Sequence, residues 1–259
     1  MLQLDTFMSS PWLVWALAVM IGAGLAHGTL GFGFPLISMP MIALVTDVQT
    51  AVLVSMFPNL AVNLVSIVRG GRWRDSLARY WPVAAYVVLG TALGTRVLLW
   101  ADPEPLKLLL VLMIVVYLLQ SRLRLLDAAW LARHPRACAA LFGLSAGVLS
   151  GTVNVAVPPL VIYFMALGLD ALAMTQILNL CFFAGRMTQA VTLGLAHQID
   201  ASTFLATAPL TAVSLAALWL GLHLQRRIDP AAFRGLLRKV LWAMAVVLAA
   251  QVVHHVAAS

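Results

Sequence analysis

Apolar residues fill this chain in long runs, and two of the runs share an unusual interruption. Residues 11–46 and 137–169 contain no Asp, Glu, Lys or Arg. Each run is broken in its middle by glycine, polar residues and proline, at 28–35 and at 150–159. Paired, interrupted apolar segments in two halves of a chain are typical of secondary transporters, in which broken helices form the transport site.

The remaining apolar runs predict uninterrupted helices. Several runs approach or exceed the roughly 20 apolar residues that cross a bilayer, and the short alternating segments of a transmembrane barrel are absent. The pattern therefore predicts an all-α polytopic membrane protein of about eight apolar blocks. The blocks are broken segments over 12–45 and 138–168, and helices over 50–68, 80–99, 106–120, 174–195, 203–222 and 240–256.

The two halves of the chain repeat one order of features. A broken segment is followed by a helix with Asn59 or Asn179, a helix with a central proline, and an Asp-Pro loop. An offset of 120 aligns the two asparagines and also aligns Gly31 with Gly151. We therefore predict an internal duplication, with a first membrane repeat over 1–126 and a second over 127–259 that together form one membrane domain.

Composition and charge support the membrane class. The chain is 63% hydrophobic and 10% charged, whereas ordinary globular domains carry about 25% charged residues. We attribute the net charge of +7 to cytoplasmic loops rather than to nucleic-acid binding. The basic segments 69–79, 121–136 and 225–239 all fall on the cytoplasmic side only if residues 138–168 cross the membrane an even number of times. By symmetry we expect the same of residues 12–45. The two halves are then inverted repeats in a cell inner membrane.

The broken segments contain the residue types that interrupt helices and bind anions. Gly28, Gly31 and Gly33 either pack helices closely or, with Pro35, end one helix and begin another. In the second case the amides and dipole of the new half-helix face the break and favour an anion. The other residues predicted to line this site are Thr29, Ser150, Gly151, Thr152 and Asn154.

Arg186 lies in the middle of an apolar block, where a charged side chain is costly and usually functional. Its guanidinium is permanently charged and suits oxyanions; the alternative is snorkelling of the side chain to the membrane interface. Amide side chains are predicted to join it at the substrate site, although each alone is also explained as interhelical packing. These are Asn59, Asn63, Asn179 and Gln176.

The other ionisable residues favour an anionic substrate. All nine Asp and Glu residues fall in or beside predicted loops, so no carboxylate is predicted in mid-membrane. His27 is the one mid-membrane histidine; it is either a packing residue or a proton-coupling group. Cys138 and Cys181 form no metal-binding pattern, and no nucleophile–base–acid set is visible. We therefore expect no enzyme activity, no cofactor and no metal.

The glycine and proline motifs resemble those of the TauE/SafE family of sulfite-exporter-like permeases. The resemblance rests on Gly28, Gly31 and Gly33 leading to Pro40, then Asp47 and Ala51, and on Gly147 and Gly151 leading to Pro158-Pro159, then Gly168-Leu-Asp170 and Ala171. It implies export of sulfite, sulfoacetate or a related organosulfur anion. The chain departs from the glycine-rich pattern of the family at Phe32, Phe34 and 152–154, which predicts a narrower or differently polar site.

Together these patterns predict a secondary transporter of a small anion, such as sulfite or an organosulfonate. The alternatives are a membrane scaffold or intramembrane enzyme that transports nothing, and a carrier of a neutral or cationic solute. The expected partners are the anion, the lipid bilayer and, through His27, a proton; no nucleic-acid partner is expected.

Overall fold

The computed structural model describes residues 11–71, 73–120, 131, 133–225, 227 and 230–258, and these are helical apart from short connections. Ten helices lie within the described ranges, which confirms the predicted all-α class. They are α1 Trp12–Leu30, α2 Phe34–Ala43, α3 Val48–Gly70, α4 Trp73–Trp100, α5 Pro103–Leu119, α6 Pro135–Val153, α7 Val157–Ala166, α8 Ala171–Leu195, α9 Ala201–Leu224 and α10 Pro230–Ala258.

Among the ten described helices, six are long and apolar enough to cross a membrane, which confirms a multi-pass membrane protein: α1, α3, α4, α6, α9 and α10. Helix α5 has only 17 residues, and α8 contains Gln176, Asn179 and Arg186. Two of the predicted basic loops are largely helical, because α4 begins at Trp73 and α10 at Pro230. Most of the segment 121–136, which contains the proposed boundary between repeats, lies outside the described residues.

Each predicted broken segment is a long helix followed by an antiparallel half-length helix. Helices α2 and α7 have 10 residues each, or about 15 Å, half of a bilayer core. The Trp15 indole near the start of α1 donates to the Met41 carbonyl near the end of α2 at 2.9 Å. In the second segment, Phe142 near the start of α6 stacks on Tyr163 near the end of α7, with ring centroids 5.4 Å apart. Both segments therefore return as hairpins, as the loop charges predicted.

The hairpins exchange partners between the two halves. Helix α1 packs against α9, and α6 packs against α4, while α3 and α8 meet each other at the centre. Glycines allow these approaches: a Cβ at Gly147 would lie 2.8 Å from the Gly90 Cα. The pairs α1–α9 and α6–α4 occupy equivalent places in the two proposed repeats, so the packing supports the duplication. The inverted orientation of the repeats stays a prediction.

Helices α3, α8 and α9 each begin at an aspartate that the sequence analysis placed in or beside a loop. The carboxylate of Asp47 accepts from the Thr50 amide at 2.7 Å, and that of Asp170 from the Ala173 amide at 2.8 Å. These N-caps satisfy donors that have no partner within the helix. Asp200 caps α9, and hydrogen bonds from Ser202 and Thr203 lower the pKa of its carboxyl group. The repeated Asp47 and Asp170 therefore fix where α3 and α8 start.

Candidate functional site

The helix break of the first hairpin is formed by two glycines in the left-handed conformation. Helix α1 ends at Gly31 with φ of 82°, and Gly33 precedes α2 with φ of 109°. A side chain at such a φ costs about 1–2 kcal/mol. Gly28 differs from these two, because a Cβ there would lie 2.8 Å from the Leu222 nitrogen of α9. Both sequence interpretations therefore apply: Gly31 and Gly33 make the break, and Gly28 packs helices.

Polar side chains of α1, α3 and α8 lie beside this break. We call the residues His27, Ser66, Gln176 and Asn179, together with Gly31 of the break itself, the first-break cluster. The Asn179 amide donates to the carbonyls of Gly31 at 2.8 Å and of Thr175 at 2.9 Å. The Gln176 amide donates to the Ile67 carbonyl at 3.2 Å and so joins α8 to α3. Both amides therefore satisfy buried carbonyls in the closed structure.

His27 is fully buried within this cluster. Its Nε2 lies 3.0 Å from the Ser66 hydroxyl oxygen, and the ring also neighbours the Asn179 side chain. Its Nδ1 has no hydrogen-bond partner among the described residues, and neither has the Asn179 Oδ1. The packing role of His27 is visible, and an unused ring nitrogen remains for a proton.

The second break is held by asparagine rather than glycine. Helix α6 ends at Val153, and Asn154 takes the left-handed conformation with φ of 59°. Asn tolerates this region better than other residues that have a side chain. Asn154 therefore fills the structural place of Gly31, whereas Gly151, which the offset of 120 aligned with Gly31, lies inside α6 against α4.

A chain of amides connects the second break to α3. The Asn59 amide donates to the Asn154 oxygen at 3.2 Å, and the Asn63 amide donates to the Asn59 oxygen at 2.6 Å. Asn154 in turn donates to the Ser55 hydroxyl at 3.1 Å. With Ser150, Gly151, Arg186 and Gln189, these residues form the second-break cluster.

Arg186 lies in this second cluster with 1% of its surface exposed, so it does not snorkel to an interface. Its guanidinium donates to the Ser150 hydroxyl at 2.7 Å, to the Ser150 carbonyl and to the Gln189 side-chain oxygen. The Gln189 amide donates to the Gly151 carbonyl at 2.9 Å. The last carbonyls of a helix lack internal partners and carry partial negative charge. Arg186 therefore occupies the negative end of α6, and no carboxylate pairs with it among the described residues.

The two clusters are equivalent in position but not in chemistry. His27 and Ser150 each lie four residues before the left-handed residue of their break, and Ser66 and Arg186 each lie seven residues after the repeated asparagine. His27 contacts Ser66, and Ser150 contacts Arg186. The same pair of positions thus holds a titratable ring in one half and a permanent cation in the other.

Thr29 and Thr152 are placed beside the breaks, but their hydroxyls donate back to their own helices. Thr29 bonds the Leu25 carbonyl at 3.0 Å, and Thr152 bonds the Val148 carbonyl at 2.8 Å. Both are buried, as are Ser150 and Asn154. The structure therefore places these four residues beside the breaks, but none of them lines either of the two cavities at the ends of α8.

Two cavities lie at opposite ends of α8, with both clusters between them. A cavity of about 420 Å³ includes Met174 near the start of α8 and Phe32 of the first break. A cavity of about 680 Å³ includes Leu193 near the end of α8, together with Asp47. The polar residues Gln176, Asn179, Arg186 and Gln189 lie on α8 between the ends that border the two cavities, and all four are buried.

Sequence inspection missed three features of this region. Ser55 and Ser66 bond to the clusters, and Ser66 could have been found at an offset of 120 from Arg186. The segment 143–147 matches the Gly-x-Ser-x-Gly pattern of serine hydrolases. That pattern requires a strand-to-helix turn, but Ser145 lies within α6 and bonds the Phe142 carbonyl at 3.1 Å. It therefore does not support a nucleophile.

Asn154 allows backbone strain to be separated from side-chain bonding. Asn154→Gly should keep the left-handed backbone but lose the bonds to Ser55 and Asn59. Asn154→Ala should lose the same bonds and also strain the backbone by about 1–2 kcal/mol. We expect the alanine variant to unfold at a lower temperature in detergent than the glycine variant. Equal unfolding temperatures would show that the backbone at 154 is not strained by a side chain.

Paired hairpins with buried polar clusters at their breaks are features that polytopic membrane transporters share. The family model described as Sulfite exporter TauE/SafE matches residues 16–251 of this chain. The chain belongs to this family, and it is therefore a transporter of the anion-exporter type. In comparisons with curated proteins and with solved structures, no match to the chain was found.

Proposed function

We propose that this protein exports a small sulfur-containing anion, either sulfite or an organosulfonate, across the inner membrane. The observation that carries the proposal is the buried guanidinium of Arg186, which has no carboxylate partner among the described residues and lies between the two cavities. An unpaired buried charge is unfavourable. A bound anion would neutralise it, whereas a cation would add to the cost.

The geometry suggests how an oxyanion would bind. A guanidinium has five N–H donors, of which three are engaged in bonds to Ser150 and Gln189. The remaining donors can bind the anion, and the Ser150 hydroxyl can rotate to donate as well. Asn59 and Asn154 lie beside the same break and supply further polar groups. Transport then requires each cavity to open onto the clusters in turn.

Flux in proteoliposomes tests this function. Purified protein should release preloaded labelled sulfite or a short alkanesulfonate faster than protein-free liposomes do. It should not release a neutral sugar or a quaternary ammonium ion. Release of a neutral or cationic solute alone would support the alternative carrier, and no release of any solute would support a scaffold or an intramembrane enzyme.

The proposed orientation places the basic ends of the bundle in the cytoplasm and both termini outside. Asp47 follows the first hairpin and Asp170 the second, so the proposal places them on opposite sides of the membrane. Single cysteines at these positions, in a chain without Cys138 and Cys181, should react with an impermeant thiol reagent from opposite sides. Reaction from the same side would contradict the inverted repeats.

His27 is the proposed proton-coupling residue. His27→Gln should flatten the pH dependence of flux, because the ring is the titratable group of the first-break cluster, while substrate binding stays mostly intact. The other ionisable groups within the helices that enclose it are Arg69 on α3, Cys181 and Arg186 on α8, and His223 on α9. His223→Gln, on the exposed surface, is the matched control. A pH profile unchanged by His27→Gln would leave His27 with its packing role alone.

A further inference from the structure

The smaller cavity combines apolar walls with two arginines. Its volume is about 420 Å³, and it lies where α1, α5 and α7 end and where α8 and α10 begin. The polar lining consists of Tyr117 and Gln120 on α5 and of Arg234 and Arg238 on α10. The remaining lining is apolar and includes Leu30, Phe32 and Met174. Such a lining suits a molecule with one anionic group and an apolar body.

The two arginines are available to such a ligand. Arg234 and Arg238 are four residues apart on α10 and so lie on one face of the helix. Both are exposed, and neither forms an ion pair with the described residues. Both line the cavity together with Tyr117. The cavity therefore has a positive mouth.

Part of the cavity wall is formed by the first helix break. Leu30 and Phe32 flank Gly31, whose carbonyl accepts from Asn179, and Met174 precedes Thr175, whose carbonyl accepts from the same amide. The cavity therefore borders residues that are adjacent in sequence to the first-break cluster.

We propose that this cavity is a cytoplasmic loading site, in which Arg234 and Arg238 bind the anionic group and the apolar walls receive the rest of the molecule. The proposal rests on the proposed function and specifies its substrate class. An organosulfonate fills both parts of the cavity, whereas sulfite has only the charged group to offer. The loading site therefore selects a sulfonate with a short apolar body over the bare oxyanion.

Cysteine protection tests the site without transport. Met174→Cys is introduced into a chain with Cys138→Ser and Cys181→Ala, and the purified protein in zwitterionic lipid nanodiscs is treated with a hydrophilic thiol reagent. Butanesulfonate should slow the reaction, and sulfite at the same concentration should slow it less. In the Arg234→Gln/Arg238→Gln variant the half-protecting concentration should rise about tenfold, because two solvent-screened, charge-assisted bonds are lost. Met165→Cys on the same cavity wall provides a second probe.

Arg69→Gln is the matched control, because Arg69 is exposed at the end of α3 and does not line the cavity; it should leave protection unchanged. Equal protection in the double variant, or no protection of either cysteine by any sulfonate, would overturn the loading site even where liposomes transport the anion. Nanodiscs that contain acidic lipid provide a further test. If acidic lipid slows the labelling when no sulfonate is present, the arginines bind a lipid headgroup, and the loading site would also be overturned. Failure of anion flux in liposomes would instead refute the proposed function.

Discussion

Arg186→Ala is expected to lower export of the anion strongly at low anion concentration while the protein still inserts into the membrane. The guanidinium is the buried cation of the proposed path, and its remaining donors face no carboxylate among the described residues. Loss of a charged hydrogen bond costs about 1.5–3 kcal/mol, so affinity for the anion should fall about ten- to a hundredfold. The measurement is the concentration dependence of labelled-anion flux in proteoliposomes.

Two companion variants separate binding from folding. Arg186→Lys keeps the charge but loses the planar fork, so it should retain part of the affinity. Arg96→Ala removes an exposed arginine from α4 and should change neither flux nor affinity. Because Arg186 also satisfies the Ser150 carbonyl, thermal unfolding must be measured for each variant. A folded Arg186→Ala protein with normal anion affinity would show that the substrate site lies elsewhere.

Gly147→Ala is expected to cause a large loss of stability although it adds only one methyl group. The added Cβ would lie 2.8 Å from the Gly90 Cα and the Thr91 nitrogen, and both are backbone atoms of α4 that cannot rotate away. Overpacking of a close contact typically costs about 1–3 kcal/mol. We expect a lower unfolding temperature in detergent and reduced flux, because α6 also presents Ser150 to Arg186.

Gly22→Ala is the control for this substitution. Gly22 is exposed in α1, and a Cβ there meets no atom within 4 Å. Alanine in a helix interior is favoured over glycine by about 0.8–1.0 kcal/mol, so this variant should be as stable as the parent or slightly more stable. Equal unfolding temperatures for Gly147→Ala and Gly22→Ala would show that α4 and α6 can separate without loss of stability.

The apolar runs were sufficient to predict the helices, because length and hydrophobicity alone decide which segments can enter a bilayer. Glycine and proline located both breaks for the same local reason: they restrict or permit particular backbone angles. The loop charges predicted that the second broken segment returns, and the repeat extended this prediction to the first. The Phe142–Tyr163 and Trp15–Met41 contacts show both hairpins.

Pairings between helices could not be predicted in this way. That Arg186 meets Ser150 depends on how α8 packs against α6, which no local pattern specifies. The alignment of Gly31 with Gly151 failed because it matched identical residues, whereas the break requires a left-handed backbone that Asn154 also adopts. Residues of the two clusters could thus be predicted from the sequence, but the contacts between them could not.

The exchange of hairpins between the two halves has a consequence for biosynthesis. Helix α1 acquires its glycine-mediated contact only when α9 exists, because Gly24 packs against Ser214. Ser214 follows Gly24 by about 190 residues, which take about 10–40 s to synthesise at usual elongation rates. During that interval the glycine-lined face of α1 has no α9 to pack against. The packing of the first hairpin is therefore completed only after most of the chain has been synthesised, and an early stop in translation leaves that hairpin without its partner helix.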